Sequence, residues 1–100
     1  MVNNKLNSKK ILEEIENNSK EIRKYGVRKI GLFGSFLNNK NKRESDVDIL
    51  VTLSKINFKN YIRLKFLLER LFGREVDLVI EKDLRSELDY VKGEARYARL

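Results

Sequence analysis

One hundred residues, 41% of them hydrophobic and 37% charged, with a formal net charge of +7, fit a single domain over 1–100 that buries a modest core without covalent staples. The chain has neither cysteine nor histidine, which excludes disulfides, thiolate nucleophiles, a Ser-His-Asp triad, imidazole acid–base chemistry and the usual zinc sites, so any catalysis must run on carboxylates. No apolar stretch approaches the ~20 residues of a membrane span or forms a signal peptide, and the lack of cysteine fits a reducing compartment, so the cytoplasm is the expected location.

In chain order, Ile11, Leu12, Ile15 and Ile22 recur at helical spacing among charged residues and predict one amphipathic helix over 8–24, with Gly26 as its left-handed cap. The run Ile30, Gly31, Leu32, Phe33 predicts a buried strand that stops at Gly34, after which Ser35 is expected to cap a short helix. Residues 38–45 contain no apolar side chain and predict an exposed loop. Val47, Ile49, Leu50, Val51 and Leu53 predict a second strand, buried on both faces beyond Asp48.

Asn57 then caps a long helix over 58–72 that Gly73 ends, and residues 75–80 predict a third strand interrupted by Asp77. A last helix over 83–92, using Leu84, Leu88 and Val91 and halted near Gly93, precedes a tail for which no structure is predicted. Interleaved strands and helices imply an α/β sheet covered by helices, and the long helix between the second and third strands suits a parallel crossover.

All of the excess positive charge lies early: residues 1–43 hold 11 Lys and Arg against 4 Asp and Glu, whereas residues 44–100 hold 11 of each. A basic face attracts polyphosphate, nucleic acid or an acidic protein without choosing among them. The cations of the first helix alternate with Glu13, Glu14, Glu16 and Glu21, a pattern of solvated ion pairs that argues against direct nucleic-acid binding.

Three positions carry the candidate chemistry. Gly34 allows a sharp turn and a close approach of phosphate, and Ser35 with the following amides offers donors at a helix start. Asp46 and Asp48 stand two apart, so both carboxylates project from one face of a strand. An EF-hand would need a glycine and a closing glutamate after them, which Ile49, Leu50 and Val51 do not supply. Asp77 lies between Val76 and Leu78, where a charged group needs a cation or a donor, and neighbouring second and third strands would bring it beside Asp46 and Asp48.

Taken together, Leu32-Phe33-Gly34-Ser35-Phe36, Asp46-Val47-Asp48-Ile49-Leu50-Val51 and Glu75-Val76-Asp77-Leu78-Val79 resemble the minimal nucleotidyltransferases of the DNA polymerase β-like superfamily, over almost the whole chain. The resemblance implies a small mixed α+β sheet with helices packed on it. It also implies ATP with its phosphates at Gly34 and Ser35, and Mg²⁺, expected as two ions, held by the catalytic carboxylates Asp46, Asp48 and Asp77. Small members of the family look like antitoxins that transfer AMP from ATP onto a tyrosine of a partner HEPN ribonuclease toxin. This chain departs from the family after Phe36, where Asn38-Asn39 stands in place of an Arg-Gly, so Lys40, Lys42 or Arg43 would have to supply the phosphate-facing cation. Two other functions remain open at this point: a binding subunit that covers its partner without chemistry, and nucleotidyl transfer to a small molecule or an RNA end. Assembly as a homo- or hetero-oligomer is compatible with either.

Overall fold

The computed structural model describes residues 6–38, 40–42, 45–85 and 88–100. The elements run α1 (Ser8–Asn17), α2 (Ser19–Arg23), β1 (Val27–Phe33), β2 (Val47–Leu53), α3 (Phe58–Phe72), β3 (Val76–Ile80), a 3₁₀ turn at Glu81–Asp83, α4 (Tyr90–Glu94) and β4 (Arg96–Tyr97). The four strands form one mixed sheet in the order β3-β2-β1-β4: β1 is antiparallel to both β2 and β4, and β2 is parallel to β3 with α3 as the crossover.

The helices α1 and α3 pack against β1 and β3 respectively and against each other, so they share one face of the sheet. Ile11 and Ile15 of α1, Leu64, Leu67, Leu68 and Phe72 of α3, and Ile30, Leu32, Ile49 and Leu78 of the strands fill the core between them. Leu50, on the alternate face of β2, is also fully buried, so the second strand is covered on both sides beyond Asp48 as its apolar run predicts. No helix among the described residues is long and apolar enough to cross a membrane.

The predicted first helix is two helices. Asn18 breaks it, its side-chain amide donating to the Glu14 carbonyl at 2.7 Å in competition with the backbone ladder. At the other end of the chain, the predicted 83–92 helix shrinks to the 3₁₀ turn and α4, with Gly93 inside α4 rather than beyond it; residues 86 and 87 of that span lie outside the described residues. The tail adds β4, which pairs Tyr97 with Gly31 and Arg96 with Leu32.

The long helix keeps both of its expected ends. Asn57 accepts from the Asn60 N–H at 3.2 Å, and Gly73 closes the helix with φ at 66°, its N–H donating to the Glu69 carbonyl at 2.8 Å. Replacing Asn57 with Ala is expected to cost ~1 kcal/mol of stability, read as a lowered denaturant midpoint at unchanged slope.

From this helix, two side chains reach the edge strand β3. Glu69 accepts from the Val76 N–H at 3.0 Å and from Lys65 at 3.1 Å, and the backbone hydrogen bond holds its carboxyl below the usual value. The Tyr61 hydroxyl donates to the Leu78 carbonyl, and burial followed by the charge of Asp77 pushes its pKa above 10.0, which keeps the donor protonated. Two backbone groups of a sheet edge are thereby satisfied, which fixes β3 against β2.

Candidate active site

The strand register builds the site. Asp48 is the Cα partner of Asp77 across the parallel β2–β3 pair and of Phe33 across the antiparallel β1–β2 pair, so the acids of two strands stand side by side next to the end of β1. The carboxyl groups of Asp48 and Asp77 lie within hydrogen-bonding reach of each other. Burial first, and then the charge of Asp77, raise the Asp48 pKa above its ordinary 3.8; a hydrogen bond from the Ser35 backbone N–H opposes this, and Asp46 adds a further like charge.

Asp77 is exposed, because β3 turns Val76 and Leu78 into the core and Asp77 outward. Its apolar neighbours in sequence are therefore not its neighbours in space, and no desolvation cost has to be met. Asp46 is exposed one residue before β2 and acts on Asp48 through its charge. Among the described residues, no three acidic side chains close into one ready-made metal-binding group. The pair Asp48–Asp77 is brought together, and Asp46 stands at its rim.

Gly34 has two reasons to be glycine. Its φ is 78°, and a Cβ there would lie 2.1 Å from Asp48 Oδ2, well inside van der Waals contact. The bare Cα of Gly34 lets the Asp48 carboxylate reach the Ser35 amide.

The short helix expected after Ser35 is instead a single turn, closed by the Asn38 N–H on the Gly34 carbonyl at 3.2 Å and the Lys40 N–H on the Ser35 carbonyl at 2.9 Å. Asn38 also donates its side-chain amide to the Gly34 carbonyl at 3.1 Å, so at this departure from the family pattern it acts as a brace for the turn. Of the candidate cations for that departure, Lys40 and Lys42 are exposed, while Arg43, like Asn39, lies outside the described residues.

Arg74 was not legible as a site residue. It leaves the core just before β3, donates to the Ser45 carbonyl at 3.3 Å and sits 5.3 Å from the centre of the Phe36 ring. It thus joins the turn after Gly34 to the residue before Asp46. Replacing Arg74 with Ala is expected to lower turnover by roughly 10–100-fold, the usual cost of losing a support for site residues, with partial rescue by Lys, which keeps the charge but not the fork. Steady-state kinetics beside a circular dichroism melt would separate that effect from unfolding.

Beside the acids, a cavity of about 510 Å³ is lined by Phe33, Gly34, Asp77, Val79, Tyr90 and Val91 among others. A hollow whose apolar walls are joined by Asp77, Asp83, Glu94 and Arg85, with a glycine turn in its lining, has the makings of a site for a planar, phosphate-bearing ligand. Among the described residues, no lysine or arginine stands at ion-pair distance from Asp48 or Asp77. Two adjacent carboxylates fit a hard divalent ion with oxygen ligands.

A minimal sheet that sets adjacent carboxylates beside a glycine turn defines a nucleotidyltransferase-type site, and residues 8–99 match the nucleotidyltransferase domain family, to which this chain belongs. It is 46% identical over 81 residues to the protein adenylyltransferase MntA of Thermococcus cleftensis, covering 75% of this chain and 82% of that protein. Among solved structures, a chain provisionally described as a minimal nucleotidyltransferase superposes with a TM-score of 0.79 at 28% identity, covering 91% of this chain and 95% of the other. A toxin–antitoxin complex crystallised with AMP-PNP gives a TM-score of 0.66 at 26% identity, covering 92% and 72% respectively.

Proposed function

We propose that this chain is a protein adenylyltransferase that transfers AMP from ATP to a tyrosine hydroxyl of a HEPN-type toxin and so acts as its antitoxin. The observation that carries the reading is the register pairing of Asp48 with Asp77 beside the Gly34–Ser35 turn, in a chain closely related to MntA.

In this reading the triphosphate lies along the turn, with the Ser35 hydroxyl and the amides that follow Gly34 orienting the phosphates. Asp48 and Asp77, completed by Asp46, would hold Mg²⁺, expected as two ions. When bound, the metal neutralises phosphate charge and makes the acceptor hydroxyl more acidic. The acceptor oxygen attacks the α-phosphorus, the bond from that phosphorus to the bridging oxygen of the β-phosphate breaks, and pyrophosphate leaves. Asp77, exposed at the open face, receives the hydroxyl proton or passes it to water.

The experiment is to incubate the protein with Mg²⁺, ATP labelled at the α-phosphate and the HEPN partner. Label on a partner tyrosine supports transfer. Neutralisation of the partner without label would favour a covering subunit, and label on RNA or a small molecule alone would favour another acceptor.

A further inference from the structure

A second cavity, of about 430 Å³, lies beyond the first and is lined by Ile56, Phe58, Tyr61, Leu78 and Ile80 among others. The two cavities share Val79 and Asp83 in their walls, so the second lies next to the first, between the end of β3 and the start of α3. At this second cavity, Phe58 is 77% exposed and Ile56 is 55% exposed; on the same helix Leu64, Leu67, Leu68 and Phe72 are buried, while Phe66, which does not line the cavity, is 60% exposed. Two large apolar side chains left in water at the mouth of a groove mark a binding surface rather than a scattered surface residue.

Three features select the occupant. The groove adjoins the cavity at Asp77 through the shared walls Val79 and Asp83, so whatever lies in it is held next to the site. Exposed Lys55, Lys59 and Lys82 adjoin Ile56, Phe58 and Asp83 in the chain and outnumber the acids there: Asp83 lines the groove, and Glu81 is engaged by the Thr52 hydroxyl at 2.9 Å. A second copy of this chain on the same face would oppose these lysines to their own equivalents on a molecule of net charge +7, which disfavours self-association there.

We propose that the Ile56–Phe58 groove docks the acceptor protein, taking an apolar side chain that lies near the modified hydroxyl and is flanked by acidic residues. This rests on the adenylyl-transfer reading and adds to it the surface by which the acceptor is chosen. The catalytic turn and acids fix the nucleotide, and the distal groove supplies specificity for the protein substrate. Binding energy gained there acts equally before and during the chemical step, so its loss raises KM for the acceptor and leaves kcat in place.

The test uses Phe58→Ser, Ile56→Ser and the charge reversal Lys59→Glu, all at exposed positions. It measures transfer to the HEPN partner, direct calorimetric binding of that partner, affinity for an ATP analogue with Mg²⁺, and thermal unfolding. The expected result is a roughly tenfold or greater rise in KM and in the partner dissociation constant for Phe58→Ser, with kcat, analogue affinity and melting temperature at wild-type values. Wild-type partner binding in all three variants overturns the proposal. So does a loss confined to RNA binding or to self-association, read by gel shift and light scattering. If the wild-type protein labels no partner, the adenylyl-transfer reading fails, while the calorimetric comparison still decides the groove.

Discussion

Asp48→Asn is expected to reduce nucleotidyl transfer at least ~100-fold while leaving the folded protein as stable as before or more so. The lower bound follows because even residues that merely support metal ligands cost that much when removed, and Asp48 would itself be a ligand. The stability follows from the surroundings of the carboxylate, which is half-buried against Asp77 and carries a pKa raised by burial and like charge. Asn keeps an oxygen for the Ser35 N–H and gains an N–H to offer Asp77, so repulsion is replaced by attraction.

The pH dependence has a definite sign. In the metal-free protein the folded state holds the Asp48 proton more tightly than the unfolded chain, so stability falls as pH rises from the ordinary carboxylate value of 3.8 through the raised folded value. Above that window the cost of ionisation is fully present. Asp48→Asn removes this slope, which urea titrations across the acid range would read as a smaller loss of stability with rising pH in the variant than in the wild type.

The second large effect is at Gly34. Gly34→Ala places a Cβ 2.1 Å from Asp48 Oδ2 on a residue with φ at 78°. The left-handed conformation alone costs ~1–2 kcal/mol, and the clash must also drive the Asp48 carboxylate from the Ser35 amide. Transfer is therefore expected to fall to background together with a lowered melting temperature. Gly73→Ala supplies the comparison: φ is 66° there too, yet nothing lies within 4 Å of an added Cβ. That variant should lose about 1 kcal/mol of stability and keep full activity, since backbone strain without a steric clash leaves the site untouched. Equal activity in the two variants would separate Gly34 from the site.

The long-range agreement between chain and fold comes from local signals that no tertiary contact overrides. Asn57 and Gly73 mark the ends of α3 by chemistry internal to the helix, and the unbroken apolar run after Asp48 announces a strand buried on both faces. Gly34, Ser35, Asp46, Asp48 and Asp77 could be marked from spacing and resemblance, and the register of β2 on β3 sets the last two side by side. What stayed hidden depends on contacts between distant segments. The Cβ-excluding contact of Gly34 with Asp48, the pull of the Ser35 backbone on the Asp48 carboxyl, and the bridge from Arg74 to Ser45 and Phe36 join residues between 13 and 38 positions apart. Hydropathy misplaced Asp77 for a related reason: its neighbours along β3 face the opposite side of the sheet. The strand β4 is two residues long and exists only because β1 offers it an edge.

On the proposed reading, the same geometry lets so small a domain hold a reacting triphosphate. A parallel β2–β3 pair supplies the acids, an antiparallel β1–β2 pair brings the glycine turn against them, and α3 ties the outer strand through Glu69 and Tyr61. Because each device joins a different pair of elements, losing one loosens the site before it unfolds the sheet.

The central claim is that the Gly34–Ser35 turn and the acids of β2 and β3 form one nucleotide-and-metal site. The most direct test is calorimetric binding of a non-hydrolysable ATP analogue to the wild type, Asp46→Asn, Asp48→Asn and Asp77→Asn, each with and without Mg²⁺. The account predicts Mg²⁺-dependent binding in the wild type that is lost in Asp48→Asn and Asp77→Asn and weakened in Asp46→Asn, all with intact folds. Equal, Mg²⁺-independent binding in all four proteins would contradict it.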